Sequence, residues 1–175
     1  MGLDLSINST GVCVRDGNGI FIYYNIVPHI TRNQRRAEGD RLYMIKYNKE
    51  DGDDDHNIYE IKNTIRTIID EYNITEVTME APALQAHGRA SITMAGLNYA
   101  VRQMLMEKGI PFKLVQPTAL KKWFTGNGMA DKGLMVRCWK ELDPLGKELK
   151  GMKTDDLADS YALCCWGCEN KSHFS

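Results

Sequence analysis

The start of the chain constrains the fold most, because three strand-like segments follow one another with only short turns between them. Apolar residues alternate with small or polar ones over residues 3–7, which predicts a strand with one apolar face and with Asp4 on the other face. Alternation resumes at residues 12–14, turn-forming residues follow at 16–19, and residues 20–27 are rich in β-branched and aromatic side chains. We therefore expect three antiparallel strands at this end of the chain.

The remaining sequence alternates between helical and strand patterns. Strand patterns occur at residues 74–79 and 112–115. Helical spacing of apolar residues occurs at 58–72, 84–108, 117–124, about 130–142, and from Thr154 onward. The order βββαβαβ followed by helices predicts one α/β domain over residues 1–175, with a mixed sheet of three antiparallel strands and then parallel strands, flanked by helices.

A polar, irregular segment at residues 32–55 interrupts these patterns and carries uneven charge. The whole chain is nearly neutral, with 22 Lys and Arg against 23 Asp and Glu, which argues against a protein coated with positive charge. Arg32, Arg35 and Arg36 nevertheless cluster ahead of an acidic run at 50–55. Two interpretations remain open for the segment: a solvated loop, or an arm that contacts phosphates.

No part of the sequence resembles a secretion signal or reaches the roughly 20 apolar residues that span a bilayer. We therefore expect a soluble, intracellular protein of the cytoplasm that does not bind membranes. The five cysteines agree with this, since an odd number in mostly apolar segments is typical of reduced thiols. Cys165 and Cys168 form a lone CxxC, which without a second ligand pair is weak support for zinc or redox chemistry.

Five carboxylates lie at positions in the sequence where an ordinary solvent-exposed charge is unusual. Asp4 interrupts an apolar strand, and Glu80 ends a later strand. Asp155, Asp156 and Asp159 crowd the first turns of the last helix. Each alone could be a surface charge or a favourable partner for a helix N-terminus. Helical geometry lets Asp159 share a cation with either Asp155 or Asp156, and it does not decide between them.

Carboxylates that converge repel one another unless a cation neutralises them. Oxygen ligands of this kind suit Mg²⁺, for which Mn²⁺ can substitute. The strand carboxylates and the helix pair could hold two ions about 3.5 to 4 Å apart, one activating water and the other stabilising the leaving oxygen of a phosphodiester. The pattern indicates metal-dependent phosphodiester hydrolysis.

Four ordered motifs resemble those of the RuvC Holliday-junction resolvases, which belong to the RNase H-like superfamily. They are the opening segment 2–11, Glu80, the segment 121–132, and the segment 156–163, and together they cover nearly the whole chain. The third motif carries Lys121 and Lys132, which by this resemblance would approach the scissile phosphates and stabilise transition-state charge rather than the fold.

The resemblance implies an RNase H-like fold and a homodimeric endodeoxyribonuclease that nicks four-way DNA junctions with two active sites, in recombination or DNA repair. It also implies catalytic and metal-binding roles for Asp4, Glu80, Asp156 and Asp159. Asp156 is thereby favoured over Asp155, which is expected to act only as a helix-end charge. Small residues in the helix at 84–108, namely Ala90, Ala95, Gly96 and Ala100, suggest that this helix packs closely against a second copy.

Two departures separate this sequence from that family. An aromatic residue usually follows the strand-end glutamate and can stack on bases, whereas Ala81 and Pro82 follow Glu80 here. The segment 32–55 has no counterpart, and its arginines could supply DNA contacts instead.

Other functions remain open. The first alternative is a nuclease of the same fold that acts on RNA or on flaps. The second is a catalytically idle nucleic-acid-binding protein, which the intact carboxylate set disfavours because buried like charges need an ion to neutralise them. One half of a two-domain ATPase is disfavoured because no second acidic strand motif is present.

Overall fold

The computed structural model describes residues 1–82, 88–149 and 154–170. Six strands occur in this part of the chain: β1 Gly2–Asp4, β2 Thr10–Arg15, β3 Phe21–Val27, β4 Leu42–Lys46, β5 Val77–Glu80 and β6 Phe112–Val115. The helices are α1 Arg32–Ala37, α2 Asp54–Glu71, α3 Arg89–Glu107, α4 Pro117–Thr125, α5 Lys132–Leu142, α6 Pro144–Glu148 and α7 Asp155–Glu169. None of the described helices is both long and apolar enough to cross a bilayer.

All six strands form one mixed sheet in the order β4-β3-β2-β1-β5-β6. β1, β2 and β3 pair antiparallel through short turns, and β5 and β6 add in parallel beyond β1. This arrangement confirms the expected α/β class and its three antiparallel strands followed by parallel ones. The connections through α2 and α3 supply the crossovers that parallel strands require.

The segment at 32–55 was expected to be irregular, and that expectation is wrong for much of its length. It contains α1, whose capping box is formed by Thr31 and Gln34, and the edge strand β4, which pairs in parallel with β3. In β4, Leu42 and Met44 are buried while Tyr43 between them is exposed. That alternation is the strand signal, and the surrounding charged residues obscured it.

Several predicted boundaries also change, and the strand predicted at 74–79 is observed over Val77–Glu80. The first strand ends at Asp4 rather than at residue 7, although Leu5 and Ile7 still pack against the core. The helix predicted at 84–108 is helical over Arg89–Glu107, and residues 84–87 lie outside the described residues.

Helices cover both faces of the sheet. On one face α2 and α3 pack against the apolar side chains of the central strands, including Leu3, Val12 and Met79. On the other face α5, α6 and α7 cover Cys13 and Tyr23. Because side chains alternate along a strand, Asp4 and Glu80 lie on the α7 face while their apolar neighbours face α2 and α3.

α7 lies unusually close to the strands beneath it, because glycine occupies the contact positions. A Cβ on Gly2 would lie 2.1 Å from the Ser160 carbonyl oxygen, and a Cβ on Gly11 would lie 2.2 Å from the Asp156 carbonyl oxygen. Only a residue without a side chain permits such an approach. The start of α7 is therefore fixed directly against the backbone of β2.

A buried polar group connects the edge strand to the helices on this face. Asp143 caps α6 and accepts hydrogen bonds from Tyr23 Oη at 2.8 Å and from Arg41 Nη2 at 2.6 Å. Trp139 Nε1 donates to Tyr23 Oη at 3.1 Å. Every member of this group has a partner, so it holds β4 in place without leaving a buried charge uncompensated.

Candidate active site

Two adjacent strand ends bring Asp4 and Glu80 together. The parallel register pairs Gly2 with Thr78 and Leu3 with Met79, so the next residue on each strand is a carboxylate. β1 ends at Asp4 and β5 ends at Glu80, so the two carboxylates lie at the same edge of the sheet. The prediction that Glu80 ends its strand is confirmed, whereas Asp4 was predicted to lie inside a longer strand and instead ends β1.

The first turn of α7 supplies two further carboxylates. Asp156 and Asp159 are one turn apart, and both line the same cavity as Asp4 and Glu80. Thr154, where the helix was expected to begin, is the N-cap residue, but its side chain makes no capping hydrogen bond. Close contact with Gly11, rather than the cap, therefore positions this turn.

The shared cavity has a volume of about 440 Å³ and is rich in charge. All six predicted site residues line it: Asp4, Glu80, Lys121, Lys132, Asp156 and Asp159. They come from five separate elements of the chain, so only the folded structure brings them together.

Proximity and burial shift the protonation of these carboxylates. Burial raises the pKa of Asp4 well above its usual value, and the negative charges of Asp159, Asp156 and Glu80 raise it further. Burial, followed by the charge of Glu80, raises the pKa of Asp159 to about 7. Burial also raises the pKa of Glu80, while the positive charge of Lys121 opposes that rise. The site therefore holds more negative charge than its own cations neutralise.

Asp155 does not behave as a simple helix-end charge, and that expectation is wrong. Its side chain is 6% exposed and accepts a hydrogen bond from Lys132 Nζ at 2.5 Å. The carboxylate of Asp155 raises the pKa of Lys132, chiefly through this hydrogen bond. Asp155 thus holds the lysine at the cavity edge, and it is absent from the cavity lining that contains Asp156.

The two lysines stand on either side of a glycine-containing turn. Lys121 lies in α4, and α4 ends at Gly126, which adopts a left-handed conformation with φ of 78°. Thr125 Oγ1 donates to the Asn127 carbonyl oxygen at 3.1 Å, and Asp131 caps α5 directly before Lys132. This hydrogen-bonded turn joins the two helices that carry Lys121 and Lys132.

Sequence reasoning missed the hydroxyl that contacts Asp156. Ser9 Oγ lies within hydrogen-bonding distance of Asp156 Oδ2 and 3.0 Å from Asn25 Oδ1. Thr10 closes the turn that carries Ser9, because its Oγ1 donates to the Ser6 carbonyl oxygen at 2.6 Å. The run of small polar residues between β1 and β2 could have indicated a hydroxyl group near the site, but such a run is equally typical of an ordinary turn.

The donor chemistry of this site fits a hard divalent cation. The buried carboxylates raise one another's pKa, and oxygen ligands with excess negative charge are what Mg²⁺ prefers. Among the described residues, however, no three Asp, Glu, His or Cys side chains are already arranged to hold a metal ion.

The CxxC cysteines lie elsewhere, near the end of α7. Both are free thiols, and burial is the main cause that raises the pKa of Cys165 to about 12. A thiol with so high a pKa remains protonated at neutral pH, which disfavours thiolate chemistry there.

Comparison with known proteins gives consistent results. The family model for the crossover junction endodeoxyribonuclease RuvC matches residues 24–165, which is more than half of the chain. The RuvC proteins of two Anaplasma marginale strains are 31% and 30% identical to this chain over 83 residues. That alignment covers 46% of this chain, and the chain spans about half the length of these relatives.

Solved structures show the same architecture at low sequence identity. Thermus thermophilus RuvC superposes with a TM-score of 0.62 at 17% identity, covering 98% of this chain and 95% of that one. T. thermophilus RuvC in complex with Holliday junction substrate gives 0.63 at 16% identity, covering 93% and 88%. The yeast mitochondrial Holliday junction resolvase Ydc2 gives 0.56 at 15% identity, covering 98% and 80%. These likenesses establish the expected RNase H-like fold.

Proposed function

The chain belongs to the RuvC family of crossover junction endodeoxyribonucleases, and we propose that it is a metal-dependent, structure-selective endonuclease that cuts four-way junctions or other branched DNA. We further propose that residues 1–175 form one nuclease domain, since all six described strands join one sheet. Recombination and DNA repair are the processes that this activity would serve.

The observation that carries this proposal is the convergence of four carboxylates in one cavity with two lysines at its edge. Such clustering is costly in a purely structural site, because each buried negative charge disfavours its neighbours. A phosphodiester hydrolase uses the same arrangement to gather divalent cations around a phosphate. Binding of divalent cations would therefore offset the cost in stability of clustering these carboxylates.

Asp4, Glu80, Asp156 and Asp159 would hold Mg²⁺, with Mn²⁺ able to substitute, and the site would take two ions. Bound ions of this kind would supply the Lewis-acid charge for hydrolysis of the phosphodiester. Ser9 contributes by orienting Asp156 through its hydroxyl group. The closeness of Gly11 to the Asp156 backbone fixes how far this carboxylate lies from the strands.

The lysines perform a separate task. Lys132 is anchored by Asp155 yet its side chain is 70% exposed, so its ammonium group can meet a phosphate at the cavity mouth. Lys121 lines the same cavity and lowers the pKa of Glu80 against the effect of burial. Positive charge fixed at this position would stabilise the charge that develops on the phosphate during cleavage.

We also propose a homodimer, because paired incision of a junction requires two active sites. Two of the small residues of α3 already have surroundings within the chain, since Gly96 packs against Ile58 of α2 and Ala95 lines a cavity. An exposed apolar stripe on α3 is the better candidate. Ile92, Tyr99 and Met106 are spaced by seven residues and are all largely exposed.

The decisive experiment compares substrates under identical conditions. The purified protein is incubated in Mg²⁺ with a four-way junction, a flap, a splayed duplex, a linear duplex and an RNA–DNA hybrid of matched sequence. Fastest cleavage of the junction supports the proposal, and dependence on Mg²⁺ is checked with EDTA. Preference for the flap or hybrid would assign a different nuclease substrate, and no cleavage of any substrate would leave only a binding role.

A further inference from the structure

The turn between β1 and β2, residues 5–9, carries the hydroxyl group that contacts Asp156, and it is called the Ser9 turn from here on. Its ends are joined by a reciprocal pair of hydrogen bonds. The backbone N–H of Ser6 donates to Thr10 Oγ1 at 3.0 Å, and Thr10 Oγ1 donates to the Ser6 carbonyl oxygen at 2.6 Å. Because Ser9 Oγ lies within hydrogen-bonding distance of Asp156 Oδ2, the position of this turn determines where the hydroxyl meets the carboxylate.

Asn25 lies beneath the Ser9 turn, in the middle of β3. Its neighbours along the strand, Tyr24 and Ile26, belong to the apolar core on the α2 and α3 face, so the alternation of side chains turns Asn25 toward α7. Asn25 is only 1% exposed, and its Oδ1 lies 3.0 Å from Ser9 Oγ. A carboxamide buried this deeply in a strand costs free energy unless it is hydrogen bonded, so its contact with Ser9 is the feature to explain.

Ser9 has one hydroxyl proton but two acceptors beside it, Asp156 and Asn25. An ionised carboxylate can only accept, and it forms the stronger bond, so the proton goes to Asp156. Ser9 then offers Asn25 nothing but lone pairs. Half a turn of the Asn25 carboxamide places Nδ2 where Oδ1 lies, and the amide then donates to Ser9 while Ser9 donates to Asp156. In this chain every donor has an acceptor, and the Ser9 hydroxyl has a single orientation.

The segment at 32–55, which has no counterpart in the family, holds the same turn from the other side. Tyr47 follows β4 directly and is 2% exposed. Its Oη donates to the Ile7 carbonyl oxygen at 2.5 Å. Lys49 Nζ donates to Asn8 Oδ1 at 3.2 Å. Two side chains from this segment therefore bind successive residues of the Ser9 turn.

The chain that carries Tyr47 and Lys49 is itself fixed to α2. Asn57 in α2 is 2% exposed, and its carboxamide binds both backbone groups of Glu50. The Glu50 N–H donates to Asn57 Oδ1 at 2.9 Å, and Asn57 Nδ2 donates to the Glu50 carbonyl oxygen at 2.8 Å. The contacts to the Ser9 turn are thus made from a fixed part of the structure.

We propose that Asn25 and Tyr47 are positioning residues, which hold Asp156 in its metal-binding orientation by way of the Ser9 turn. The inference rests on the proposed role of Asp156 as a metal ligand. Neither residue touches the metal ion, and both act through Ser9. Partners of this kind that orient a metal ligand contribute to metal affinity almost as much as the ligands do. The segment at 32–55 thereby gains a task that differs from a solvated loop and from an arm that contacts phosphates.

The first test measures metal binding without cleavage. Mn²⁺ is titrated into the protein alone, and the free ion is followed by electron paramagnetic resonance. Asn25→Leu and Ser9→Ala should each raise the half-saturating Mn²⁺ concentration about tenfold. Ser9→Thr keeps the hydroxyl group and should bind Mn²⁺ as the unmodified protein does. An unchanged half-saturation in folded Asn25→Leu would overturn the role of Asn25.

The second test asks whether Asn25 acts through Ser9. If it does, the double variant Ser9→Ala/Asn25→Leu should bind Mn²⁺ as Ser9→Ala does, because the chain is already broken at the hydroxyl. Effects that multiply in the double variant would show that the two residues act independently, and would reject the chain from Asn25 to Asp156.

The third test concerns Tyr47 and a matched tyrosine. Tyr47→Phe removes one hydroxyl group and should raise the half-saturating Mn²⁺ or Mg²⁺ concentration about fivefold, as expected for one hydrogen bond, with little change in the single-turnover rate at saturating metal. Tyr24→Phe also removes a buried tyrosine hydroxyl, but one that is bonded to Tyr72 Oη at 2.8 Å, and should leave both quantities unchanged. An equal loss of metal affinity in the two variants would reject a specific role for Tyr47.

The outcomes separate this inference from the proposed function. If Asn25→Leu does not fold, Asn25→Ala and Tyr47→Phe decide in its place. An unmodified protein that binds Mn²⁺ and cleaves DNA, together with folded variants that match it, rejects the positioning role alone. An unmodified protein that neither binds Mn²⁺ nor cleaves any substrate rejects the nuclease function and the positioning role with it.

Discussion

Lys132 Nζ lies 2.5 Å from Asp155 Oδ2, and the exposed lysine thereby holds a buried carboxylate. Lys132 was expected to serve catalysis without contributing to stability, but this contact with Asp155 gives it a part in stability as well as the proposed part in cleavage. Lys132→Ala should slow single-turnover cleavage about tenfold or more and also lower the free energy of unfolding by roughly 1–3 kcal/mol, because Asp155 loses a charged partner in a buried position.

The double variant Lys132→Ala/Asp155→Asn separates those two effects. Neutralising Asp155 removes the buried charge that has lost its contact with Lys132, so denaturant unfolding should show partial recovery of stability while cleavage remains slow. Recovery of the cleavage rate together with stability would mean that Lys132 acts only through the fold.

Each of the four carboxylates that line the shared cavity of the candidate active site should be essential for cleavage. Asp4→Asn, Glu80→Gln, Asp156→Asn and Asp159→Asn each remove a charge needed to hold Mg²⁺, so each should abolish cleavage in Mg²⁺. Junction binding should persist or strengthen, because the change relieves repulsion between the site and DNA phosphates.

Asp155→Asn is the matched control for these four variants. It also removes one negative charge, but from the residue next to Asp156 in the sequence. It should retain measurable cleavage, reduced to the extent that Lys132 loses its anchor. A dead Asp155→Asn together with an active Asp156→Asn would show that the other face of α7 carries the metal site.

Without metal, the protein should become less stable as the pH rises from about 4 to 7. Burial and neighbouring negative charge raise the pKa of Asp159 to about 7 from its usual 3.8, and the pKa of Asp4 is also raised. The folded protein therefore binds more protons than the unfolded chain in this window, and stability falls as they are released.

Thermal unfolding in EDTA across this range measures the effect. For a chain of this size, 1 kcal/mol corresponds to roughly 2–4 °C in Tm, so the fall should be readily detected. Asp159→Asn should flatten the dependence, and Mg²⁺ should restore stability above pH 7. A Tm that rises with pH in EDTA would contradict the raised pKa values of Asp4 and Asp159.

Light scattering should give twice the 19.9 kDa mass of the chain. Tyr99→Asp places a charge in the centre of the exposed stripe on α3 and should produce monomers. Tyr59→Asp is the matched control, since Tyr59 is an exposed helical tyrosine on α2. A monomeric mass for the unmodified protein, both alone and with junction DNA, would reject the dimer.

The arginines of α1 could contact DNA in place of the aromatic residue that usually follows the strand-end glutamate in the family. Arg32, Arg35 and Arg36 are all exposed on a helix that has no buried residue. If they contact phosphates, changing all three to alanine should weaken junction binding and reduce the slope of log affinity against log salt by up to about 2.7. An unchanged slope would leave α1 as a solvated surface helix.

The sequence predicted the sheet well because its signals are local. Alternation over residues 3–7 and 12–14 reflects the two faces of the strands, and the same period predicted that Asp4 lies on the face opposite Leu3, although it did not reveal that β1 ends at Asp4. The catalytic roles of these residues rested on the family resemblance, and they stay predictions.

Contacts between distant parts of the chain could not be predicted from such local patterns. Lys132 and Asp155 are 23 residues apart, and no periodic pattern joins them. The edge strand β4 was missed because its short alternation is flanked by arginine and lysine, which suggest a loop when packing against β3 is unknown. In the sequence Asn98 is simply a polar residue within a helical pattern. Only the folded structure shows that its side chain is buried and donates a hydrogen bond to the Glu80 carbonyl oxygen.

The glycine contacts beneath α7 restrict how this fold can change length during evolution. Asp156 rests on Gly11, Ser160 rests on Gly2, and Gly167 contacts Thr78, so the helix touches three neighbouring strands in turn. One inserted residue would rotate everything beyond it by about 100° and break these contacts. Insertions and deletions among relatives should therefore accumulate at the sheet edge formed by α1 and β4, while α7 keeps a constant length.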